Sequence, residues 1–491
     1  MFCMKWYANN IMAWPQIEPS TSHLAYLVLS LFLILYALFS DLIRNRAHFS
    51  EPPLATLAGM LFGPRGVRVV DPSETWGWED NITQELTRII TGVQCFAVGI
   101  ELPAAYVKRH WRSISVLLGP NMIVGWVIST LAVRSTLNTA WTTALIIAAC
   151  LTPTDPVLSA SVIAEAKFSQ RIPKRIRHLL AAESGCNDGT AFPFLYAALY
   201  FAMASSAAQG VRQWVTDLLL WQCVAGIVIG IAIGYVANRL LRFSESRGYV
   251  QESTLFVFYF LLAIFCVGVG STLGLDDFLV CFTAGATFCW DGWFSTRTAK
   301  MKLPSILDLM LNSTMFVYFG SIIPWRMYKD NLAPGRLILC VLAILLLRRL
   351  PAIVILKRLI PDIRTYHEAL FVGHFGPMGV GALFLAIEAR ARLETGKSEP
   401  LPHPPKESPY KEALDTVWPV VCFVVLCSIM VHGFSPLVMS LISHFSRLPK
   451  ERAPLLGGEE DRLYGMASHE EDVPDDEQER EEQEENSREE L

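Results

Sequence analysis

Apolar runs close to 20 residues long recur from about Leu24 to Phe445, and they limit the possible folds of this chain more than any other feature. A helix of about 20 residues crosses the hydrocarbon core of a bilayer and satisfies its own backbone hydrogen bonds without water. Hydrophobic residues make up 52% of the 491 residues and charged residues only 18%, too few to solubilise so many apolar runs. The sequence therefore predicts an all-α polytopic membrane protein.

Charge clusters and Pro/Gly turns divide the apolar region into about thirteen predicted spans. They are 22–40, 53–64, 86–107, 114–133, 141–164, 179–204, 217–237, 253–273, 276–291, 306–324, 337–356, 367–389 and 413–445. The second is too short to cross a bilayer unbroken, and the ninth is barely long enough. We expect a transmembrane domain at 22–445, preceded by an extracellular N-terminus at 1–21.

The distribution of Lys and Arg between alternate loops predicts the orientation. One set of loops holds nineteen of these residues and the opposite set holds twelve, five of them in one long loop after the twelfth span. Because cytoplasmic loops carry the excess of positive charge, the first set is expected inside the cell, with the N-terminus outside and the C-terminus in the cytoplasm. A glycosylation sequon at Asn81 falls on the predicted outer side.

The C-terminal end is acidic, with 17 Asp and Glu against five Lys and Arg from Lys450 onward. It has almost nothing apolar to bury, so we expect 446–491 to be a disordered cytoplasmic tail. Within it, Glu451, Leu455 and Leu456 fit the acidic dileucine pattern that vesicle-coat adaptors bind. The alternative is that the two leucines rest on the membrane surface.

Most of the eleven cysteines lie in or beside apolar segments and are typical of small core residues. The sequence contains no Cys-x-x-Cys pair and no Cys/His cluster with zinc spacing. We therefore expect no cofactor, no redox or zinc chemistry and no nucleic-acid partner.

The fifth span contains an ionisable residue between two prolines, in Thr152-Pro153-Thr154-Asp155-Pro156. Two prolines three residues apart remove two backbone donors and favour extended geometry in the residues before them. The helix should unwind there, and its freed carbonyl groups could coordinate a cation.

The sixth span contains Glu183-Ser184-Gly185-Cys186-Asn187-Asp188. Glu183 and Asn187 share one helical face, and Ser184 and Asp188 share the neighbouring one. Alone, a Thr-Asp-Pro or an Asn-Asp-Gly is usually a helix cap or a loop. Together in adjacent spans, their carboxylate, hydroxyl and amide oxygens suit a hard cation, and a carboxylate can hold either that cation or a proton. We predict exchange of an alkali cation for protons at two broken helices carrying Asp155, Asn187 and Asp188.

The sequence resembles the cation/proton antiporter superfamily, in the sodium/proton exchanger branch, and most closely the fungal plasma-membrane alkali-cation/proton antiporters. The likeness covers residues from about 20 to 445 and is carried by the motifs at 96–102, 151–156, 183–189 and 374–382. It implies a thirteen-helix fold of inverted repeats with two crossed broken helices. It also implies a homodimer in which a core domain moves against a dimerisation domain.

The resemblance also implies residue roles. Asp188 would bind the cation and the proton in turn, with Ser184 and the Thr154 backbone as further ligands of Na+. Asp155 and Asn187 would hold the crossing of the broken helices.

Glu183 would form a structural ion pair with an arginine of the eleventh span, and the match favours Arg349 over Arg348. The alternative for these arginines is a snorkelling pair at a helix end.

One departure concerns the third span, where some relatives carry an acidic ion ligand and this chain has Ala97. Glu101 could supply a carboxylate one turn further on, or could lie at the helix end as a cap. In the tenth span, Asp308 could serve the ion path or cap a helix start.

Two other segments are assigned structural roles. Glycines 373, 376, 379 and 381 around Pro377 favour close helix packing, with a kink as the alternative. Asp276 and Asp277, in a tight turn, are expected to form a solvated cap.

The predicted function is secondary active antiport of Na+ for H+ by alternating access, with Li+ or K+ as alternative cations. The competing hypothesis is a passive cation channel, which would line a continuous path with acids. An intramembrane aspartyl protease would need a second catalytic aspartate in a matching helix, so we predict a transporter and not an enzyme. The plasma membrane is the favoured location, with endosomal or vacuolar membranes as alternatives.

Overall fold

The computed structural model describes residues 20–43, 49–72, 77, 80–156, 158–159, 172–298, 303–330, 332–402, 405 and 407–445. Within these ranges the chain is helical and contains no strand. The predicted extracellular N-terminus up to residue 19 and the predicted tail lie outside them. Glu451, Leu455 and Leu456 therefore also lie outside the described residues.

The helices are joined by connections of different lengths. In chain order they are α1 (Thr21–Asp41), α2 (Glu51–Phe62), α3 (Asp80–Glu101), α4 (Tyr106–Arg109), α5 (Trp111–Val116), α6 (Met122–Leu137), α7 (Trp141–Cys150), α8 (Lys174–Thr190), α9 (Phe192–Met203), α10 (Ala207–Gln213), α11 (Gly226–Ser246), α12 (Glu252–Leu273), α13 (Asp277–Phe288), α14 (Trp293–Thr298), α15 (Leu303–Ile322), α16 (Trp325–Asp330), α17 (Pro334–Leu347), α18 (Leu350–Leu356), α19 (Tyr366–His374), α20 (Val380–Thr395) and α21 (Lys411–Phe445). The π-helical segments Leu117–Asn121 and Trp214–Ala225 connect α5 to α6 and α10 to α11.

Each of the thirteen predicted spans overlaps one of these helices or successive helices, and residues 157 and 160–164 of the fifth span lie outside the described residues. Among the described residues, five helices are long and apolar enough to cross a membrane, and they are His23–Ser40, Trp111–Leu137, Ala207–Ser246, Pro334–Leu359 and Lys411–Met439. Shorter apolar helices lie at Trp141–Cys150, Val257–Leu273, Asp277–Phe288 and Leu309–Ile322. The count of thirteen spans and the three region boundaries stay predictions.

Two helices are interrupted inside the bundle. α7 ends at Cys150, and the chain is non-helical from Leu151 to Asp155, where Pro153 cannot donate a backbone hydrogen bond. The second interruption, at residues 375–379, separates α19 from α20 and contains Pro377 between two glycines. Both interruptions are buried, and backbone without helical hydrogen bonds is tolerated at membrane depth only where protein encloses it.

The position of the second break corrects two sequence predictions. Asn187 and Asp188 lie in an unbroken helix, α8, because tertiary contacts override the weak helix propensity of Asn and Asp. The break lies instead in the glycine-rich segment around Pro377, where close packing without a kink was favoured. Glycine serves both packing and unwinding, so its presence did not distinguish the two.

Helix α3 lies at the centre of the bundle, in contact with α8, α13 and α20. Small residues allow this close approach. A Cβ atom on Gly285 of α13 would collide with the carbonyl oxygen of Phe96 on α3. The residues that carry chemistry therefore lie on helices that pack against one another with little intervening space.

Candidate cation-binding site

The two interrupted helices meet at their breaks, at a point that we call the crossing, and Asp155 joins them. Its backbone N–H donates to the carbonyl oxygen of Pro377 at 2.8 Å. Its Oδ2 accepts from the N–H of Val380 at 2.9 Å, and its Oδ1 accepts from the N–H of Leu158 at 2.9 Å. One carboxylate thus caps the N-terminal ends of the two half-helices, the helical segments that follow each break. The exposed N–H groups at these ends stabilise a negative charge.

Arg348 occupies the complementary position at the two C-terminal ends. Its guanidinium donates to the carbonyl oxygens of Leu151, of Thr152 at 3.2 Å and of Gly376 at 2.7 Å. These carbonyls have lost their helical donors, and a cation there offsets the negative ends of both helix dipoles. This role of Arg348 was not predicted from the sequence. The interruption of an apolar run by two arginines before Pro351 was the available signal.

Glu183 and Arg349 form a bidentate ion pair. Arg349 Nη1 lies 2.5 Å from Glu183 Oε1, and Nη2 lies 2.6 Å from Oε2. Arg349 Nε also donates to the carbonyl oxygen of Val372 at 3.0 Å. Arg348 and Arg349 are each only 6% exposed, so the snorkelling alternative is wrong. The pair connects α8 to the segment between α17 and α18.

Asn187 and Ser184 of α8 contact the first break. The Asn187 side chain accepts from the Thr154 N–H at 3.1 Å and donates to Thr154 Oγ1 at 2.6 Å. The hydroxyl oxygens of Thr154 and Ser184 are 3.0 Å apart. The amide therefore satisfies the backbone donor that unwinding exposes, and places two hydroxyl groups side by side.

Asp188, beside the crossing, has an unused oxygen. The residue is 2% exposed. Its Oδ2 accepts a weak hydrogen bond from the thiol of Cys95 on α3 at 3.8 Å, while Oδ1 has no hydrogen-bond partner in the described part of the chain. A buried carboxylate oxygen without a donor is costly, and binding either a proton or a cation would remove that cost.

The other predicted acids are placed as follows. Glu101 is exposed at the last residue of α3, the helix-end position of its two alternatives. Ala97 is buried, and Cys95 is the α3 residue that contacts Asp188. The backbone of Asp308 lies in α15, and its side chain lies outside the described residues.

The prediction of a solvated cap at Asp276 and Asp277 is half wrong. Asp276 does cap α13, accepting from the N–H groups of Phe278 and Leu279 at 3.1 Å each. Both aspartates are buried, however, and Asp277 pairs with Arg88 at 2.7 Å. The turn packs against α3, which the local sequence did not indicate.

Gly381 leaves the space that the Asp188 carboxylate occupies. A Cβ atom at this position would collide with Asp188 Oδ1. We expect Gly381→Ala to displace the carboxylate and to lower cation-dependent proton flux at least about tenfold, since small displacements at a reacting group have large kinetic effects. Flux per folded molecule in reconstituted vesicles measures this. Gly335→Ala is the matched control because a Cβ there meets nothing within 4 Å. Equal flux in the two variants would contradict the prediction.

Comparison with known sequences identifies the family of this chain. The sequence model of the family described as "Sodium/hydrogen exchanger, transmembrane" matches residues 28–439. The chain belongs to this family. The predicted resemblance to sodium/proton exchangers is thereby confirmed.

Fungal relatives are similar over most of the chain. A probable Na(+)/H(+) antiporter of Schizosaccharomyces pombe is 44% identical over 86% of this chain and 57% of its own length. A Na(+)/H(+) antiporter of Saccharomyces cerevisiae is 42% identical over 89% of this chain and 45% of its own length. Another Na(+)/H(+) antiporter of S. pombe is 36% identical over 86% of this chain and 91% of its own length. The chain thus spans about half the length of the first two relatives and nearly all of the third.

Solved structures confirm the predicted all-helical antiporter fold. The sodium proton antiporter MjNhaP1 of Methanocaldococcus jannaschii at pH 8 superposes with a TM-score of 0.60 at 19% identity. That comparison covers 84% of this chain and 99% of the other. An electron-microscopy structure of the same antiporter gives a TM-score of 0.64 at 17% identity, over 87% of this chain and 99% of the other.

Proposed function

We propose that the chain is a secondary active antiporter that exchanges Na+, or alternatively Li+ or K+, for H+ by alternating access. The observation that carries this proposal is the buried Asp188 carboxylate with an unpartnered oxygen beside two crossed half-helices. Membership of the sodium/hydrogen exchanger family and the names of the fungal relatives support it. The activity proposed is transport and not an enzymatic reaction.

The hydrogen bonding at the crossing favours Asp188 over Asp155 and Glu183 as the exchanging group. Asp155 caps two helix ends with its two oxygens, and Glu183 has both oxygens in the pair with Arg349. Releasing either would leave backbone donors or a guanidinium without a partner. Asp188 can exchange a bound proton for a cation without disrupting such a contact.

The cation would be bound by Asp188, the Ser184 hydroxyl and oxygens of Thr154. Carboxylate, hydroxyl and carbonyl oxygens are suitable ligands for hard cations. Na+ or its substitutes are cargo here, and no resident cofactor is proposed.

Concentration of the acids at one crossing also argues for an exchanger over a channel. A single carboxylate that binds one occupant at a time couples the two fluxes by competition. We further propose a homodimer in the plasma membrane, or alternatively in endosomal or vacuolar membranes, where it would serve salt tolerance and pH homeostasis. The N-terminus would lie outside, and the cytoplasmic tail would offer Glu451, Leu455 and Leu456 to adaptors.

Reconstitution into vesicles with an internal pH-sensitive dye tests the proposal. An exchanger acidifies or alkalinises the lumen only when Na+, Li+ or K+ is added on one side. Proton movement that requires no such cation would contradict antiport. Cation movement without any proton flux would favour the channel.

Competition for Asp188 predicts a pH-dependent apparent affinity. Below the pKa of the exchanging group, each unit of falling pH should raise the apparent dissociation constant for the cation about tenfold, so that binding weakens. A tenfold change is the limit for single-site competition. Initial rates measured against cation concentration at several pH values give this constant. A constant that does not change with pH would mean that cation and proton occupy separate sites.

A further inference from the structure

Two helical faces lead away from Asp188 toward the same end of the bundle. On α20, Gly381 lies against the Asp188 carboxylate, and Phe384 and Glu388 follow on the same face, three and seven residues later. On α3, Cys95 contacts Asp188, and Arg88 lies seven residues earlier on the same face. Since α3 and α20 pack against each other, these faces form a seam from the site to the bundle end.

Three phenylalanines close the part of the seam next to the site. Phe192 begins α9 four residues after Asp188, Phe278 lies in the first turn of α13, and Phe384 is on α20. Their ring centroids are 5.0 Å apart for Phe278–Phe384, 5.8 Å for Phe192–Phe278 and 6.1 Å for Phe192–Phe384. All three rings are buried, so they form an apolar layer that excludes a hydrated cation.

Polar contacts continue the closure beyond this aromatic layer. The Arg88 guanidinium lies 5.0 Å from the centre of the Phe384 ring and donates to Asp277 Oδ2 at 2.7 Å. Its Nη2 donates to the Ser398 hydroxyl at 3.2 Å, which links α3 to the chain after α20. One arginine thus contacts α13, α20 and the segment that follows it.

Two further contacts join the N-terminal half of α3 directly to α20. Gln84 Nε2 donates to Glu388 Oε2 at 2.9 Å, and Arg390 pairs with Asp80 at 2.7 Å. Glu388 is 1% exposed, and its Oε1 also accepts from the hydroxyl of Tyr196 at 3.0 Å. Asp80, Gln84 and Arg88 are spaced four apart on α3, so the polar contacts form a continuous stripe.

We propose that these two layers are the closed outer gate of the cation path. The aromatic layer (Phe192, Phe278 and Phe384) blocks the ion, and the polar layer, in which Asp80, Gln84 and Arg88 bind α20 and its neighbours, holds the seam shut. The gate lies on the side that the Lys and Arg distribution predicts to be extracellular. This proposal rests on Asp188 as the exchange site, and transport requires the seam to part so that Asp188 reaches the outer solution.

Cys95 provides a reporter at the inner end of this gate. Its thiol is fully buried and lies next to Asp188. In a variant with the other ten cysteines replaced by alanine, Phe278→Ala should increase the rate at which a membrane-impermeant thiol reagent added outside modifies Cys95. We expect about a tenfold increase, because removing one ring destabilises the closed state relative to the open one.

Phe288→Ala is the matched control. It removes an equally buried ring from the same helix, but Phe288 packs against Phe96, Phe258 and Phe294, away from the three rings of the gate. Labelling of Cys95 in this control should stay at the parent rate. Gln84→Met removes the hydrogen bond to Glu388 at nearly constant side-chain volume. Like Phe278→Ala, it should accelerate the labelling of Cys95 from outside, with little effect on folding.

If Phe278→Ala and Gln84→Met both leave the rate of Cys95 labelling from outside unchanged, the gate proposal is overturned. Faster labelling that occurs only when the reagent is added inside would also overturn it. Cation-dependent proton flux is measured on the same vesicles. Normal cation-dependent proton flux with unchanged Cys95 labelling rules out the gate proposal but is consistent with the antiport proposal. Absence of cation-dependent flux in the natural protein removes the antiport proposal whatever the labelling shows.

Discussion

Replacing Asp188 with asparagine should reduce cation-dependent proton flux to the level of empty vesicles. Asparagine keeps the shape of the side chain but cannot take up and release a proton, so the competition between cation and proton disappears. The variant should fold at least as well as the natural protein, because it replaces a buried carboxylate, one oxygen of which has no donor in the described part of the chain, with a neutral amide of the same shape. Flux normalised to the amount of folded protein separates these two effects.

Asp217→Asn is the control for this experiment. Asp217 is an exposed carboxylate that accepts from the Thr216 hydroxyl at 2.7 Å, so its replacement removes one negative charge without touching the crossing. Flux should stay at the natural level. Normal sodium-dependent flux in Asp188→Asn would overturn the assignment of the exchanging group.

Replacing Glu183 with glutamine or Arg349 with methionine should lower the amount of folded protein strongly. Either change leaves the remaining partner charged, buried and without its counter-ion, at a cost of about 3 to 5 kcal/mol. The double exchange Glu183→Arg with Arg349→Glu should recover part of the loss. Full recovery is not expected, because Arg349 also donates to the Val372 carbonyl oxygen.

A partly exposed ion pair serves as the comparison. Arg297 lies 3.1 Å from Glu245, with side-chain exposures of 58% and 28%. Because surface pairs contribute only about 0 to 1 kcal/mol, Arg297→Met should leave the folded amount nearly unchanged. Thermal unfolding followed by size-exclusion chromatography measures how much folded protein remains when either pair is disrupted. Similar losses for Arg349→Met and Arg297→Met, or no recovery in the double exchange, would argue against a structural role for the buried pair.

The helices and the first break could be predicted because their causes are local. A run of apolar residues near 20 long fits a bilayer wherever it occurs, and Pro153 and Pro156 interrupt a helix whatever surrounds them. The proximity of Glu183 to Arg349 did not follow from local pattern. It came from the resemblance to known exchangers, since 166 positions separate the two residues.

The remaining features depend on contacts between distant segments. Arg348 reaches carbonyl oxygens of both breaks, and Gly381 makes room for Asp188, yet the sequence around either residue does not identify these partners. Asp276 and Asp277 have the composition of a solvated turn and become buried because α3, α8 and α12 pack around them. Helix packing decides such positions, and a sequence pattern constrains helix packing only weakly.

Proton release on cation binding tests the central claim most directly. Purified protein in weakly buffered detergent solution is mixed with Na+, and the change in solution pH is followed with a dye. If Asp188 holds a proton or a cation in turn, Na+ should release protons from the natural protein and from Asp217→Asn but not from Asp188→Asn. Undiminished proton release from Asp188→Asn, or none from the natural protein, would contradict the account.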